Sequence, residues 1–224
     1  MKTGISSHPF TTSKLKYMKK LLLFLCLVSS ICLAQEGNNY TITINGETFD
    51  YQIGSEINYN AKKKGPLTIV VEQKNELNYN DGIISFMHTK DFPVSETVLE
   101  EGIKQIAALN STGMGILIQE YEGFDPSLMV DLMLNEVTKE SVDYGYSEEI
   151  SSVEFTSKDG RVFKGKKSIL TYQGTVDEWI VVAYGWKDAG VLIATMSLDA
   201  IGLNKGAGFV DDFFSSLEII ADKQ

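Results

Sequence analysis

Trp179-Ile180-Val181-Val182-Ala183-Tyr184-Gly185-Trp186, the turn Asp188-Ala189-Gly190, and Val191-Leu192-Ile193-Ala194-Thr195-Met196-Ser197-Leu198 form the stretch that decides the fold. Ile180, Val182, Tyr184 and Trp186 alternate with Trp179, Val181 and Ala183, so apolar side chains leave the strand on both sides. Successive strand residues point to opposite faces, and a strand apolar on both needs cover on both. Just upstream, runs at 152–157 and 162–172 flank the turn Lys158-Asp159-Gly160-Arg161, and the loop Gly174-Thr175-Val176-Asp177 leads into Trp179. Four strand-like runs separated by short turns predict a central antiparallel sheet.

On the C-terminal side, the spacing predicts a helix over 206–216. Phe209, Phe213 and Leu217 recur at helical intervals beside Val210 and Phe214, and 217–220 then reads as extended. On the N-terminal side, Asp125-Pro126 combines an N-cap acid with a proline in the first helical position, which opens a second helix. Its expected buried stripe is Met129, Leu132, Met133 and Val137, with Asp131, Asn135 and Thr138 facing water and a stop near Ser141. Further strands are expected at 83–88, 102–109 and 114–121, the last two joined by Asn110-Ser111-Thr112-Gly113. Leu67 to Gln73 reads as a strand behind a lysine-bearing turn at 60–66. Residues 40–53 form a predicted hairpin: Asn45-Gly46 suits a type I′ turn and sets Ile42 opposite Phe49, Tyr40 opposite Tyr51, and Thr43 opposite Thr48.

Met18-Lys19-Lys20 precedes an apolar run over residues 21–33 and then Ala34-Gln35. A short basic segment, a short apolar core and a small residue before a polar start make a secretory leader, and the run is too short for a comfortable membrane span. Cleavage after Ala34 is expected, with Met18 the natural start and the upstream residues outside the folded protein; a long basic n-region is the alternative. Neither Cys26, after Leu25, nor Cys32, after Ile31, follows the small residue that lipid attachment needs. Both cysteines leave with the leader, so the mature 190 residues carry no thiol. They also hold all 30 acidic residues against only 15 basic ones, a net charge near −15. Such a surface disfavours nucleic acid and anionic lipid. The expected location is periplasmic or secreted, with no transmembrane span in the mature chain.

Phe86 to Ser95, Lys166 to Trp186, and Val191 to Ile220 with its closing Ser216-Leu217-Glu218-Ile219-Ile220 resemble the PsbP-like superfamily, including DcrB-like bacterial envelope proteins. The likeness covers roughly 81–222 and departs at Val94, where many such proteins carry a tryptophan. It implies an α+β fold, an α/β/α sandwich with an antiparallel β-sheet covered by two main helices. That domain would span 81–224, behind a leader region at 1–34 and an N-terminal β extension at 35–80. Members mostly bind partners, and no functional residue is carried over.

The chemistry-bearing residue types are sparse. Gly160-Arg161-Val162-Phe163-Lys164-Gly165-Lys166-Lys167 approaches a phosphate-loop pattern, but Lys167 replaces the magnesium-binding hydroxyl and the segment joins strand to strand. His88 is the one histidine beyond the leader, too few for a histidine metal site, and it reads as structural. Acidic groups at 100–101, 120, 122, 125, 148–149, 177–178 and 211–212 match no calcium-loop spacing and read as solvated faces. No catalytic residue, cofactor or metal is assigned. Met129, Met133, Phe209, Phe213 and Phe214 read as core, with a ligand cavity as the alternative. Tyr144, Tyr146, Trp179 and Trp186 sit near turns or strand ends and are the candidate interface anchors.

The expected function is an exported, non-catalytic accessory or binding protein that engages a protein or envelope component. A carrier of a small apolar ligand is the alternative. A carboxylate-dependent hydrolase is a third reading, which requires two acids converging in a concave pocket.

Overall fold

The computed structural model describes residues 39–61, 65–198 and 203–221. The expected leader, the segment before it, and Lys62 to Lys64 of the lysine turn lie outside the described residues.

The decisive stretch folds as read. β10 (Val162–Tyr172), β11 (Thr175–Trp186) and β12 (Ala189–Ser197) pair antiparallel, and β9 (Ser147–Thr156) flanks β10. On the other side, β12 pairs with β8 (Met114–Glu122), then β7 (Ile103–Leu109), then β6 (Val94–Glu100). The result is a seven-stranded sheet in the order β6-β7-β8-β12-β11-β10-β9. Gly165 is required at its place on β10, because a Cβ there would collide with the carbonyl of Val181 on β11.

Both faces of this sheet are covered, but not by two helices alone. One face packs against helix α1 (Val130–Tyr144), where Val130 and Leu134 meet Tyr121, Val181, Ala183, Leu192 and Ala194. The other face meets a second, three-stranded sheet of β4 (Glu76–Asn80), β5 (Ile84–Thr89) and β13 (Glu218–Ile219), together with helix α2 (Leu203–Ser216). Tyr79, Ile84 and Phe86 of the small sheet and Phe213, Phe214 and Leu217 join Ile106, Ile118, Val182 and Ile193 in one buried cluster. The expected α/β/α sandwich is therefore corrected. Among the described residues the chain is mostly antiparallel β-sheet in three sheets, with two α-helices. The physical reason lies in β4 and β5, where Leu77, Tyr79, Ile84, Phe86 and His88 alternate inward and supply an apolar face a helix need not provide. The expected boundary at 80/81 falls inside the β4–β5 hairpin.

Helix α1 also departs from its expected phase. Asp125 accepts a hydrogen bond from the Ser127 amide at 2.8 Å, but Pro126–Met129 winds as a 3₁₀ turn before Val130 starts the α-helix. A 3₁₀ turn advances about 120° per residue rather than about 100°. The buried stripe becomes Val130, Leu134 and Thr138; Met129, Met133 and Val137 sit at its margin, and Leu132 is 61 % exposed. The helix runs on to Tyr144, past the expected stop.

At the N-terminus, β1 (Tyr40–Ile44) and β2 (Glu47–Tyr51) pair in the expected register, Ile42 opposite Phe49 and Thr43 opposite Thr48. Asn45 and Gly46 both have positive φ, 51° and 87°, as a type I′ turn demands. With β3 (Ile69–Gln73) they form a separate sheet in the order β2-β1-β3, outside the seven-stranded one.

Candidate functional site

The turn of the β7–β8 hairpin is fixed by Asn110, whose side chain accepts from the Thr112 amide at 3.0 Å, the Thr112 hydroxyl at 2.7 Å and the Met114 amide at 3.1 Å. The register that follows sets Lys104 opposite Glu120 at the far end of the hairpin. Lys104 shares its face with Ile106 and Ala108, and Glu120 shares it with Ile116 and Ile118. Two charged side chains therefore stand in the inward-pointing rows of a covered sheet.

A third charge arrives from the small sheet. In the β4–β5 turn, Asp81 Oδ1 accepts hydrogen bonds from the amides of Ile83 and Ile84, each at 2.9 Å. Its Oδ2 accepts from the Tyr79 hydroxyl at 3.0 Å and from Lys104 Nζ. Lys104 Nζ lies 2.8 Å from Glu120 Oε2, although neither carboxyl oxygen of Glu120 is met with good hydrogen-bond geometry. The Glu120 side chain is only 4 % exposed.

These environments set the charges apart. Burial, reinforced by the negative charge of Asp81 and only partly offset by Lys104, pushes Glu120 up to about 8. Burial also pushes Asp81 up, but hydrogen bonds from Lys104, the Ile84 amide, the Glu120 carboxyl and the Ile83 amide outweigh it and hold Asp81 below the usual carboxylate value. Burial, with Asp81 and Glu96 nearby, raises the Tyr79 hydroxyl, which stays a donor. At neutral pH the cluster therefore contains one ammonium, one carboxylate and one neutral carboxylic acid, so its charges cancel.

Lys104 and Glu120 are among the charged residues lining a cavity of about 530 Å³ at this end of the main sheet. Ile83, Ile103, Val98 and Ala189 supply apolar wall, Trp186 adds an indole, and Glu100 and Glu122 are also in the lining. A second concavity of about 540 Å³ lies between the start of α1 and strands β10 and β11. Its polar lining, Ser127, Asp131, Lys164, Lys166 and Tyr184, is exposed or half-buried, and Lys166 pairs with Asp131 at 2.6 Å.

The four candidate anchors do not form one face. Tyr144, 71 % exposed, and Tyr146 gather with Tyr172 at the end of α1, their rings 5.3 Å and 5.1 Å from it. Trp179 is half-buried against the α1 cluster. Trp186 leaves the opposite face at the other end of β11, beside Tyr184 and in the cavity wall. Phe213 and Phe214 are core, as read, and Met129 and Met133 pack on the α1 side rather than lining the cavity.

His88 is buried with Nδ1 placed 2.9 Å from the Phe92 carbonyl and 3.1 Å from that of Thr89, and burial lowers its proton affinity. The phosphate-loop look-alike is a hairpin turn leading into β10. Among the described residues no three metal-ligating side chains gather, and no helix is long and apolar enough to cross a membrane.

The expectation that the acids are solvated is corrected at Glu120 and Asp177, both buried. The Asp81–Lys104–Glu120 cluster was absent from the sequence reading. Half of it is local to one hairpin: the Asn110 turn pairs Lys104 with Glu120, and both fall in inward rows. Asp81 joins only when the small sheet docks.

No family model and no curated protein matches the chain. A crystal structure at 1.50 Å of a protein from Bacteroides thetaiotaomicron VPI-5482 is similar at 15 % identity over 67 % of this chain, with a TM-score of 0.37. This chain spans about half, 51 %, of that protein's chain.

Proposed function

We propose that the chain is an exported, non-catalytic binding protein that holds a small molecule in the cavity at the Lys104–Glu120 end of the main sheet. One observation carries this reading: a largely apolar cavity of about 530 Å³ whose lining includes Lys104 and an indole, Trp186. Ligand sites commonly take this form, apolar walls giving affinity and a few placed polar groups giving orientation. Export rests on the leader at residues 18–34.

The hydrolase reading is less well supported, although two acids do converge. Asp81 uses both oxygens on the Ile83 and Ile84 amides, Tyr79 and Lys104, and it is not part of the cavity wall. The other acids of the lining, Glu100 and Glu122, are exposed, and the oxygens of Glu120 are closed off from the cavity, whereas glycosidase chemistry needs two carboxyls that both reach the substrate.

Native mass spectrometry of protein purified gently from its source tests the proposal. A reproducible bound mass is expected, lost in Ala189→Phe, which adds a ring to the wall. A correctly folded A189F variant that keeps the mass, or wild-type protein that never carries one, would reject it.

A second reading, engagement of a protein partner, has its own observation. Ile69, Val70 and Val71 of β3 are all exposed, on both faces of a strand whose outer edge is unpaired among the described residues. Such an edge accepts an extended segment of another protein by strand addition. Crosslinked pull-down from the native envelope should recover a partner with wild type and lose it with Val70→Lys.

A further inference from the structure

We propose that the ligand of this cavity is an uncharged molecule with an aromatic ring and an oxygen acceptor, the ring lying against Trp186 and the acceptor at Lys104 Nζ. The inference rests on the cavity being a ligand site, and it names the chemical class.

The charges of the wall come first. Lys104 Nζ donates to Asp81 Oδ2 and lies 2.8 Å from Glu120 Oε2, so two carboxyls already answer its one positive charge. That leaves nothing to balance an anionic ligand. Neither carboxyl is open to a cation: the Glu120 oxygens are closed off, and Asp81 lies outside the lining. The other acids of the lining, Glu100 and Glu122, are exposed. Hydrated carboxylates gain little by pairing with a cation, yet they repel an anion. A charged ligand of either sign would therefore give up its hydration without a matching partner, a loss that an uncharged one does not incur.

The polar contact is second. An ammonium carries three N–H donors, and Asp81 and Glu120 account for two of those on Lys104. The Lys104 side chain is 23 % exposed, against 8 % for Asp81 and 4 % for Glu120, so it is the member of the cluster that a ligand reaches. Its remaining donor suits a carbonyl or hydroxyl oxygen, which takes a charge-assisted hydrogen bond without changing the charge of the cluster. The apolar wall is third. Val98 is 73 % exposed beside Ile83 and Ile103 of the same lining, apolar surface that a ligand body would cover. The Trp186 indole, its ring centroid 6.0 Å from that of Tyr184, shares this space. An aromatic pair gains beyond the area it buries, which favours a flat ring over an aliphatic one.

The test is an NMR titration of the purified, isotope-labelled protein at pH 7, read at the indole N–H signals of its two tryptophans. The probes are acetophenone, ethylbenzene, cyclohexyl methyl ketone, benzoate and benzylamine. Acetophenone is expected to move the Trp186 signal and leave that of Trp179 in place. It should bind about tenfold or more tighter than ethylbenzene, which lacks the acceptor, the worth of a hydrogen bond to a charged group. A similar margin is expected over benzoate and benzylamine, and about threefold over the cyclohexyl ketone, which lacks the flat ring. Equal or tighter binding of any of these four would overturn the inference and leave the cavity reading standing. A Trp186 signal that none of the five probes moves would count against both. All affinities are read on wild type, and Trp186→Phe or Trp179→Phe serves only to assign the two signals.

Discussion

Glu120→Gln should make the folded protein more stable at alkaline pH while leaving it nearly unchanged at pH 5. Glutamine keeps the shape and the donor of a protonated glutamic acid but cannot ionise. In wild type, folding carries the carboxyl from its ordinary 4.5 to about 8. Between those values the folded protein holds a proton that the unfolded chain has released, so stability falls as pH rises and levels off above about 8. At about 1.4 kcal/mol for each tenfold change in proton affinity, the ceiling on this loss is roughly 5 kcal/mol. Lys104 at 2.8 Å softens the cost of the ionised form. We therefore expect about 2 to 3 kcal/mol, which in a chain of this size is a Tm difference of roughly 4 to 12 °C.

The assay is thermal and urea unfolding of wild type and variant side by side from pH 5 to pH 9. Titration of the many surface acids affects both proteins alike, so the difference curve isolates position 120. It should open steadily in favour of the variant up to about pH 8 and then run flat. Parallel curves across the whole range would refute the reasoning, because they would mean that Glu120 ionises as freely in the fold as in water. A variant less stable than wild type at pH 9 would refute it more severely, showing the ionised carboxylate to be a net stabiliser.

Other perturbations follow from the same geometry. Lys104→Met removes the cation between Asp81 and Glu120 and should cost about 3 to 5 kcal/mol by urea unfolding, more as pH rises and the two acids are driven to share negative charge. Asp125→Ala deletes the acceptor for the Ser127 amide and should cost about 1 kcal/mol without disturbing the sheet, checked by thermal unfolding with circular dichroism. Gly165→Ala drives a methyl into the Val181 carbonyl and should cost about 1 to 3 kcal/mol, whereas Gly208→Ala, with open space around it on α2, should be neutral or stabilising by about 0.5 to 1 kcal/mol. Unfolding midpoints of the two variants in one denaturant series decide it, and equal losses would show that helix and strand context, not collision, governs both sites.

What the chain revealed in advance was whatever is settled by neighbours in sequence. The β1–β2 register was legible because Asn45-Gly46 specifies its own turn and the opposing pairs follow by counting. β10 was legible to the residue because the flanking turns and the alternation agree. β4 and β6 were not: β4 shows just Leu77 and Tyr79 among polar residues, and β6 is an edge strand that is largely exposed. The two-helix layering was what the PsbP-like resemblance implied, and without β4 nothing in the sequence spoke for a second sheet on that face. The phase of α1 was illegible for a smaller reason, since nothing in Pro126-Ser127-Leu128-Met129 distinguishes a 3₁₀ start from an α one.

The candidate site divides along the same line. Lys104 and Glu120 are a local fact of one hairpin, whereas their meeting with Asp81 is a fact of two sheets docking. That difference bears on what the third charge does. Asp81 and Lys104 already make an electrically complete buried pair, one that ties the β4–β5 turn to the main sheet. Adding Glu120 to that pair brings a further desolvation cost and no charge balance the fold requires. The carboxyl oxygens of Glu120 are closed off from the cavity, so that cost is carried inside the fold, and Glu120→Gln reads it as the stability gained at pH 9.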